Sequence, residues 1–175
     1  AESTKKVKVL DIATGTGRTL QQIQSALPEV ELYGLDLSGS YLKQASKYLS
    51  SRTGDIVQLT KGNAENMPYP SSSFQALTCV FLFHELPREA RQNVLKECFR
   101  LLEPGGTLVL ADSIQIEDSP KFTSIMENFH KIFHEPYYRD YIIDDINLRL
   151  DESGFTSITS ESHFMTKVWK ANKPS

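Results

Sequence analysis

The sequence predicts an α/β fold, a doubly wound, mainly parallel seven-stranded sheet with helices on both faces and an antiparallel C-terminal strand pair. Three observations predict it. Short apolar runs alternate with helical patterns along the whole chain, a glycine-rich turn follows the first run, and the last twenty residues alternate apolar and polar like two half-exposed strands. At 175 residues the chain has the size of one domain, enough to bury about 70% of its unfolded surface in one core.

The elements follow in order. "VKVLDIA" (7–13) reads as the first strand, and a helix runs from Gly17 to about Leu27, ended by Pro28. "VELYGLDLS" is the second strand. Ser38 is placed to cap the next helix, in which Leu42, Ala45, Tyr48 and Leu49 recur at helical spacing. "DIVQLTKG" (55–62) is the third strand. "FQALTCVFLF" (74–83) is almost unbroken in apolar content, which predicts a mid-sheet strand buried on both faces. Pro87 suits the first turn of a helix whose inward stripe is Val94, Leu95, Cys98, Leu101 and Leu102. "EPGG" stops that helix, and "TLVLAD" is the fifth strand. Residues 120–154 are helical and rich in aromatics, and "FTSITSESHF" with "MTKVWKAN" supplies the final pair. There is no internal repeat or low-complexity linker.

Composition narrows the functions. Nineteen Lys and Arg stand against 22 Asp and Glu, a net charge of -3, so nothing electrostatic favours nucleic acid or an anionic membrane. Lys5, Lys6 and Lys8 read as solvated strand-edge charge. Cys79 and Cys98 lack both metal-ligand spacing and the density of a disulfide scaffold, and are expected as buried thiols. "AESTKK" has no apolar signal region and no run reaches the roughly 20 residues of a membrane span, so a cytoplasmic location is expected.

In a sheet of this kind ligands bind at the carboxyl ends of the strands, where the strand order reverses. "DIATGTGR" falls there. Gly15 and Gly17 lack Cβ, so the backbone can come close to a ligand. Asp36 ends the second strand 19 residues beyond Gly17, where a carboxylate accepts both ribose hydroxyls of a nucleoside. The dinucleotide pattern needs a third glycine, but "GTGRTL" has Leu20 in that place, which disfavours a nicotinamide cofactor.

With those residues in view, the chain resembles the Rossmann-like class I S-adenosylmethionine-dependent methyltransferases, in the branch of ubiquinone and menaquinone biosynthesis. "VLDIATGTGR", "LYGLDLS", "KGNAENMPYPSSSFQALTCVFLFHELP" and "LLEPGGTLVLAD" carry the resemblance, in the right order, from Val7 to about Phe164. It implies a small-molecule methyltransferase with S-adenosylmethionine as cofactor. Asp11 and the backbone of Ala13, Thr14, Gly15, Thr16 and Gly17 would hold the methionyl part. Asp36 would take the ribose and Leu37 would pack on adenine. Asn63, where the family usually has Asp, would accept from the adenine amino group more weakly, beside the N–H of Ala64. Val80 and Phe81 would lie near the reacting methyl. Ala13 stands where the family commonly has Gly.

The catalytic candidate is His84 in "FHELP", since imidazole titrates near working pH; its alternative is a hydrogen bond within its loop. Glu85 reads as helix-start charge. Asp112 either faces the crevice or caps the following turn. His130 and His134, at i and i+4, have metal-binding spacing, but lacking a third ligand they read as exposed helical histidines, and no metal is expected. The aromatics Phe122, Phe129, Phe133, Tyr137, Tyr138 and Tyr141 either roof a pocket for an apolar or aromatic substrate or pack the core. Motifs of base-modifying relatives are absent, so nucleic acid is not expected as substrate. Many relatives place a lid ahead of the first strand; this chain enters that strand at about Val7, so the lid is expected to be lacking, either because the sequence is cut from a longer protein or because another segment or subunit closes the site. The alternatives are a domain that holds the cofactor without transfer and, less favoured, a nicotinamide oxidoreductase.

Overall fold

The computed structural model describes residues 6–51 and 57–175, with backbone alone at 130–133. Its strands are β1 (Lys8–Ile12), β2 (Glu31–Asp36), β3 (Gln58–Lys61), β4 (Phe74–Val80), β5 (Leu102–Ser113), β6 (Thr156–His163) and β7 (Thr166–Asn172). They form one sheet in the order β3-β2-β1-β4-β5-β7-β6. The first five run parallel, and β7 is antiparallel to both neighbours. The helices are α1 (Arg18–Ala26), α2 (Gly39–Ser50), α3 (Arg88–Leu101), α4 (Thr123–Phe133), α5 (Tyr138–Tyr141) and α6 (Ile146–Glu152). The chain winds outward from β1 to β3, then crosses back to β4 and winds the other way. The strand order therefore reverses between β1 and β4, and a crevice opens at their carboxyl ends.

Local chemistry accounts for the boundaries. Ser38 Oγ accepts the Tyr41 N–H at 3.3 Å and starts α2. Asp145 does the same for α6 through Leu148 N–H at 2.9 Å. Lys173 Nζ reaches the carbonyls of Phe99 and Leu102, 2.8 Å each, and so satisfies the carboxyl end of α3. Leu10, Ile12, Leu77, Cys79, Leu108 and Leu110 pack one sheet face against Val94, Leu95, Cys98 and Leu101 of α3. Val9, Leu20, Leu32 and Leu49 build the core of the other face. Both cysteines are buried free thiols, and their pKa values are pushed up by desolvation.

Several expectations need correction. β4 is the middle strand, but only its Leu77 and Cys79 face is buried; Ala76, Thr78 and Val80 on the other face are partly exposed. The strand also ends at Val80. Phe81 takes φ +55, and Phe83–Glu85 form a 3-10 turn, so the apolar run 81–83 is turn rather than strand. β5 begins at Leu102, earlier than the glycine turn suggests: Leu102 pairs with Phe74 and Thr107 with Ala76, and the intervening residues bulge. The third strand is expected from residue 55; 55 and 56 lie outside the described residues, as does Lys5.

The α3 stripe holds one residue that apolar periodicity passes over. Arg91 is fully buried. Its Nε donates to the carbonyls of Phe83 and Leu86, 3.1 Å each, and its guanidinium meets Asp144 at 2.5 Å and Asp140 at 3.0 Å. Arg149 and Arg88 also approach Asp144, at 2.6 and 3.8 Å.

Gly34 on β2 shows why α1 tolerates a leucine at position 20. A Cβ on Gly34 would lie 2.8 Å from Leu20 Cδ1 and 2.8 Å from Leu59 Cδ2. The absent side chain leaves the hollow that Leu20 fills. Gly34→Ala overpacks this hollow and is expected to lower stability by about 1–3 kcal/mol, measured by chemical denaturation; an unchanged midpoint would contradict the packing.

Candidate active site

The first turn after β1 is built from left-handed residues. Ala13, Gly15 and Gly17 have φ of +56, +53 and +80. Gly17 also lets α1 close on α2, since a Cβ there would stand 3.1 Å from Leu49 Cδ1. Ala13 adopts the same region with a methyl group attached, which explains why glycine suits the position.

Two carboxylates hold this turn. Asp11 is buried, and its oxygens accept the hydroxyls of Thr14 (2.7 Å) and Thr78 (2.6 Å). Desolvation raises its pKa to about 6, the two hydroxyls partly opposing this and the charge of Asp36 adding to it. Asp36 accepts the Gly15 N–H at 2.8 Å on one oxygen and the Ser38 N–H at 2.7 Å on the other. Each Asp36 oxygen therefore retains acceptor capacity.

A cleft of about 380 Å³ opens beside them, within the ~300–1,000 Å³ range of ligand sites. Ala13, Gly15, Asp36, Leu37, Asn63, Ala64 and Phe81 all line it. Asp11, Thr14, Thr16, Gly17 and Val80 do not. Asp11 and Thr14 lie beneath the turn and support it; Thr16 and Gly17 follow the part that reaches the cleft, and Val80 precedes the turn that presents Phe81. Leu37 is 68% exposed at the cleft wall. Asn63 Oδ1 accepts the Glu65 N–H at 3.0 Å and closes its own turn. Glu65, Glu85, Leu86 and Tyr41 also line the cleft and carry no such sequence signal.

A second cavity of about 390 Å³ adjoins the first and shares Phe81 and Glu85 with it. Its other walls are His84, Ser113, Phe129, Tyr138, Met165 and Thr166. Phe129 stacks on Tyr138 with ring centroids 4.5 Å apart, and Tyr138 Oη pairs with Ser113 Oγ at 2.7 Å. Tyr141 is buried and its hydroxyl donates to the Ser113 carbonyl. Of the aromatic segment, then, Phe129 and Tyr138 face a cavity, Tyr141 packs the core and Tyr137 is exposed. The side chains of His130 and Phe133 lie outside the described residues. His134 is exposed just past the end of α4, with φ +58, so it is not a helical histidine.

His84 is held from behind. Its Nδ1 lies 2.7 Å from Asp112 Oδ1. Asp112, fully buried, also accepts the N–H groups of Phe83 (2.7 Å) and Ser113 (2.7 Å). It thus fixes the 3-10 turn rather than facing the crevice. Burial resists charge on the imidazole, but the Asp112 hydrogen bond and charge, with Glu85 and Glu135, outweigh it and raise the His84 pKa. His84, Glu85 and Glu135 bring one donor atom each within 4.8 Å of one another. Glu85 is therefore part of both cavities, not a mere helix-start charge.

No described helix is long and apolar enough to cross a membrane. A family model described as "Methyltransferase domain" matches residues 9–106. The demethylmenaquinone methyltransferase of Thermotoga maritima is 35% identical over 123 residues, 70% of this chain and 50% of that protein. The enzyme of the same name from Anoxybacillus flavithermus is 33% identical over 141 residues, 76% of this chain and 59% of that protein. The chain thus spans about half the length of these relatives. In fold it is similar to phosphoethanolamine N-methyltransferase 2 of Haemonchus contortus, solved with S-adenosyl-L-methionine, with a TM-score of 0.76 at 14% identity over 99% of this chain and 50% of that one. With the glycine turn, the acidic end of β2 and the segment through the turn into β5 all inside the matched stretch, this chain belongs to the S-adenosylmethionine-dependent methyltransferase family, and the relatives it is similar to are demethylmenaquinone methyltransferases.

Proposed function

We propose that the chain is a single-domain methyltransferase that uses S-adenosylmethionine to methylate a small, uncharged aromatic acceptor of the hydroquinone kind, working in the cytoplasm. The observation that carries this reading is the pair of adjoining cavities: one carboxylate-lined at the strand reversal, one aromatic, with Phe81 and Glu85 between them. The names of the relatives support the class of acceptor.

The first cleft fits the cofactor. Its charged side chains are Asp36, Glu65 and Glu85, with no Lys or Arg among the residues lining it, which suits a ligand carrying a sulfonium and an ammonium. Asp36 would take the ribose hydroxyls on its spare lone pairs, Leu37 and Ala64 would pack on adenine, and Asn63 Oδ1 keeps one lone pair for the adenine amino group. Gly15 and Ala13 would lie along the methionyl chain, with Asp11, Thr14, Thr16 and Gly17 shaping the turn from beneath and behind, and Val80 setting the approach of Phe81. Exposed Leu37, Tyr41 and Phe81 at the mouth are the surface on which a covering segment or partner subunit would shut out water.

Bound there, S-adenosylmethionine supplies an electrophilic methyl whose transfer leaves a neutral thioether. The chain's own residues chiefly position: an acceptor stacked near Phe129 and Tyr138 is held toward Phe81, and orientation to about 3–3.5 Å accounts for roughly 7–11 kcal/mol of the barrier. Methylation at a ring carbon would release one proton from the acceptor. His84 takes it, oriented by Asp112, and returns it to solvent. Like the first, the acceptor cavity has no Lys or Arg in its lining, so carboxylate or phosphate acceptors find no permanent cation there. A second reading, a domain that holds the cofactor without transfer, has one feature in its favour, the Ala13 methyl at the cleft wall.

Two experiments test this. Asp36→Ala removes charge-assisted hydrogen bonds worth about 1.5–3 kcal/mol, so calorimetry with S-adenosylhomocysteine should show at least a tenfold loss of affinity; undiminished binding sinks the site. Turnover of a demethylated naphthohydroquinone should need neutral His84, rising with pH through a raised histidine pKa. His84→Gln should then cut kcat on the order of 10²–10⁴-fold. Asp112→Asn, which removes the negative charge that does most to favour the imidazolium, should move the acid limb to lower pH. An unmoved limb would exclude His84 as the base.

A further inference from the structure

We propose that Glu85 is the shared counter-charge of the reaction: its carboxylate faces the sulfonium of the cofactor before transfer and the His84 imidazolium after it. The inference rests on the reading of the two cavities as cofactor and acceptor sites, and adds to it a residue that sorts the charged cofactor from its neutral product.

The position of Glu85 is the starting point. Phe81 and Glu85 are the two residues that wall both cavities. A group handed from one cavity to the other passes between them, and of the two only Glu85 carries charge. Its surroundings are acidic: desolvation raises its pKa, His84 opposes this, and the charges of Glu135, Asp112 and Asp36 add to it. Neither cavity has Lys or Arg in its lining. A carboxylate crowded by other acids, with no cation of the fold beside the passage it borders, gains most from a cation that arrives with the ligand.

Charge balance says which cations those are. The acceptor is neutral before and after methylation: a methyl replaces a proton, and the proton goes to Nε2 of His84, the nitrogen that Asp112 does not hold. The chain must therefore answer one positive charge at two places in turn, at the sulfur end of the first cleft and then on the imidazole. The groups that face His84 are Asp112 from β5, Glu85 from its own turn, Glu135 from the segment ahead of α5, and the rings of Tyr138 and Tyr141 edge-on. His84, Glu85 and Glu135 bring their donor atoms within 4.8 Å of one another, so the imidazolium forms beside a carboxylate that already borders the cofactor. Glu135 does not line the cofactor cleft; its charge serves the imidazolium alone. Transfer thus ends the attraction between Glu85 and the cofactor and replaces it with one inside the protein, which favours departure of the thioether product.

The experiment compares S-adenosylmethionine with S-adenosylhomocysteine by calorimetry, with no acceptor present; the two differ by the methyl group and the positive charge. Ion pairs open to solvent change affinity by about two- to fivefold. Glu85→Gln should therefore lower the ratio of the first affinity to the second by at least about twofold, through the charged ligand, whereas Glu135→Gln should leave the ratio within about twofold. In the S-adenosylhomocysteine complex, both variants should lower the midpoint of the His84 titration followed by NMR of the imidazole protons. Equal weakening of the two ligands by Glu85→Gln, as a merely structural wall would give, overturns the proposal. So does a ratio that Glu135→Gln moves as far, or a His84 midpoint that Glu85→Gln leaves in place. If ratio and midpoint respond as stated but no naphthohydroquinone is methylated, the charge role stands and the activity reading fails. If the wild-type chain binds neither ligand, both fail.

Discussion

The grip of the Asp36 carboxylate on two backbone N–H groups, Gly15 at 2.8 Å and Ser38 at 2.7 Å, is the constraint on which the rest of the site depends. It ties the turn after β1 to the turn after β2, the two pieces of chain that border the reversal of strand order. Three left-handed residues within five would be a poorly determined turn on their own. Here they are pinned from the side by Asp36 and from below by Asp11, which joins Thr14 of the same turn to Thr78 of β4. Backbone, rather than a projecting side chain, thereby becomes the wall of the cleft.

A second constraint governs the other cavity. Burying a guanidinium is costly unless it is fully paired, and Arg91 is paired with two carboxylates and two carbonyls. Those carbonyls, Phe83 and Leu86, flank His84, while Asp144 and Asp140 belong to the segment that carries Tyr138. One buried cation thus sets the spacing between the turn bearing His84 and the aromatic wall opposite. Asp112 completes the frame by holding the same turn from β5.

The order of elements and the glycine turn were legible because both rest on local chemistry: periodicity, caps and breakers act within a few residues. Asp36 was legible for the same reason, as an acidic residue ending an apolar strand. What remained hidden is nonlocal. Asp112 and His84 are 28 residues apart in the chain and meet across two neighbouring strands, and no spacing rule announces that. Arg91 sits in an otherwise apolar helical face, where a charge reads as a break in the stripe; only its partners from α5 and the turn beyond it explain the burial. Phe81, Leu82 and Phe83 look like strand because apolar content does not distinguish a buried strand from a buried turn. The φ of +55 at Phe81 is set by its surroundings, not by any preference of phenylalanine. β4 looks buried on both faces for a similar reason, since small residues such as Ala76 and Thr78 give no clear sign of half exposure.

The placement of β7 between β5 and β6 governs how the chain can assemble. β7, later in the chain than β6, is the strand that bridges β5 to β6, so β6 has no hydrogen-bonding neighbour until synthesis has passed Asn172. Lys173, which seals the end of α3, arrives later still. A nascent polypeptide can therefore pair β1 to β5 early, but the rest must wait, with the free edge of β5 and the polar Thr- and Ser-rich β6 both unpaired in the interval.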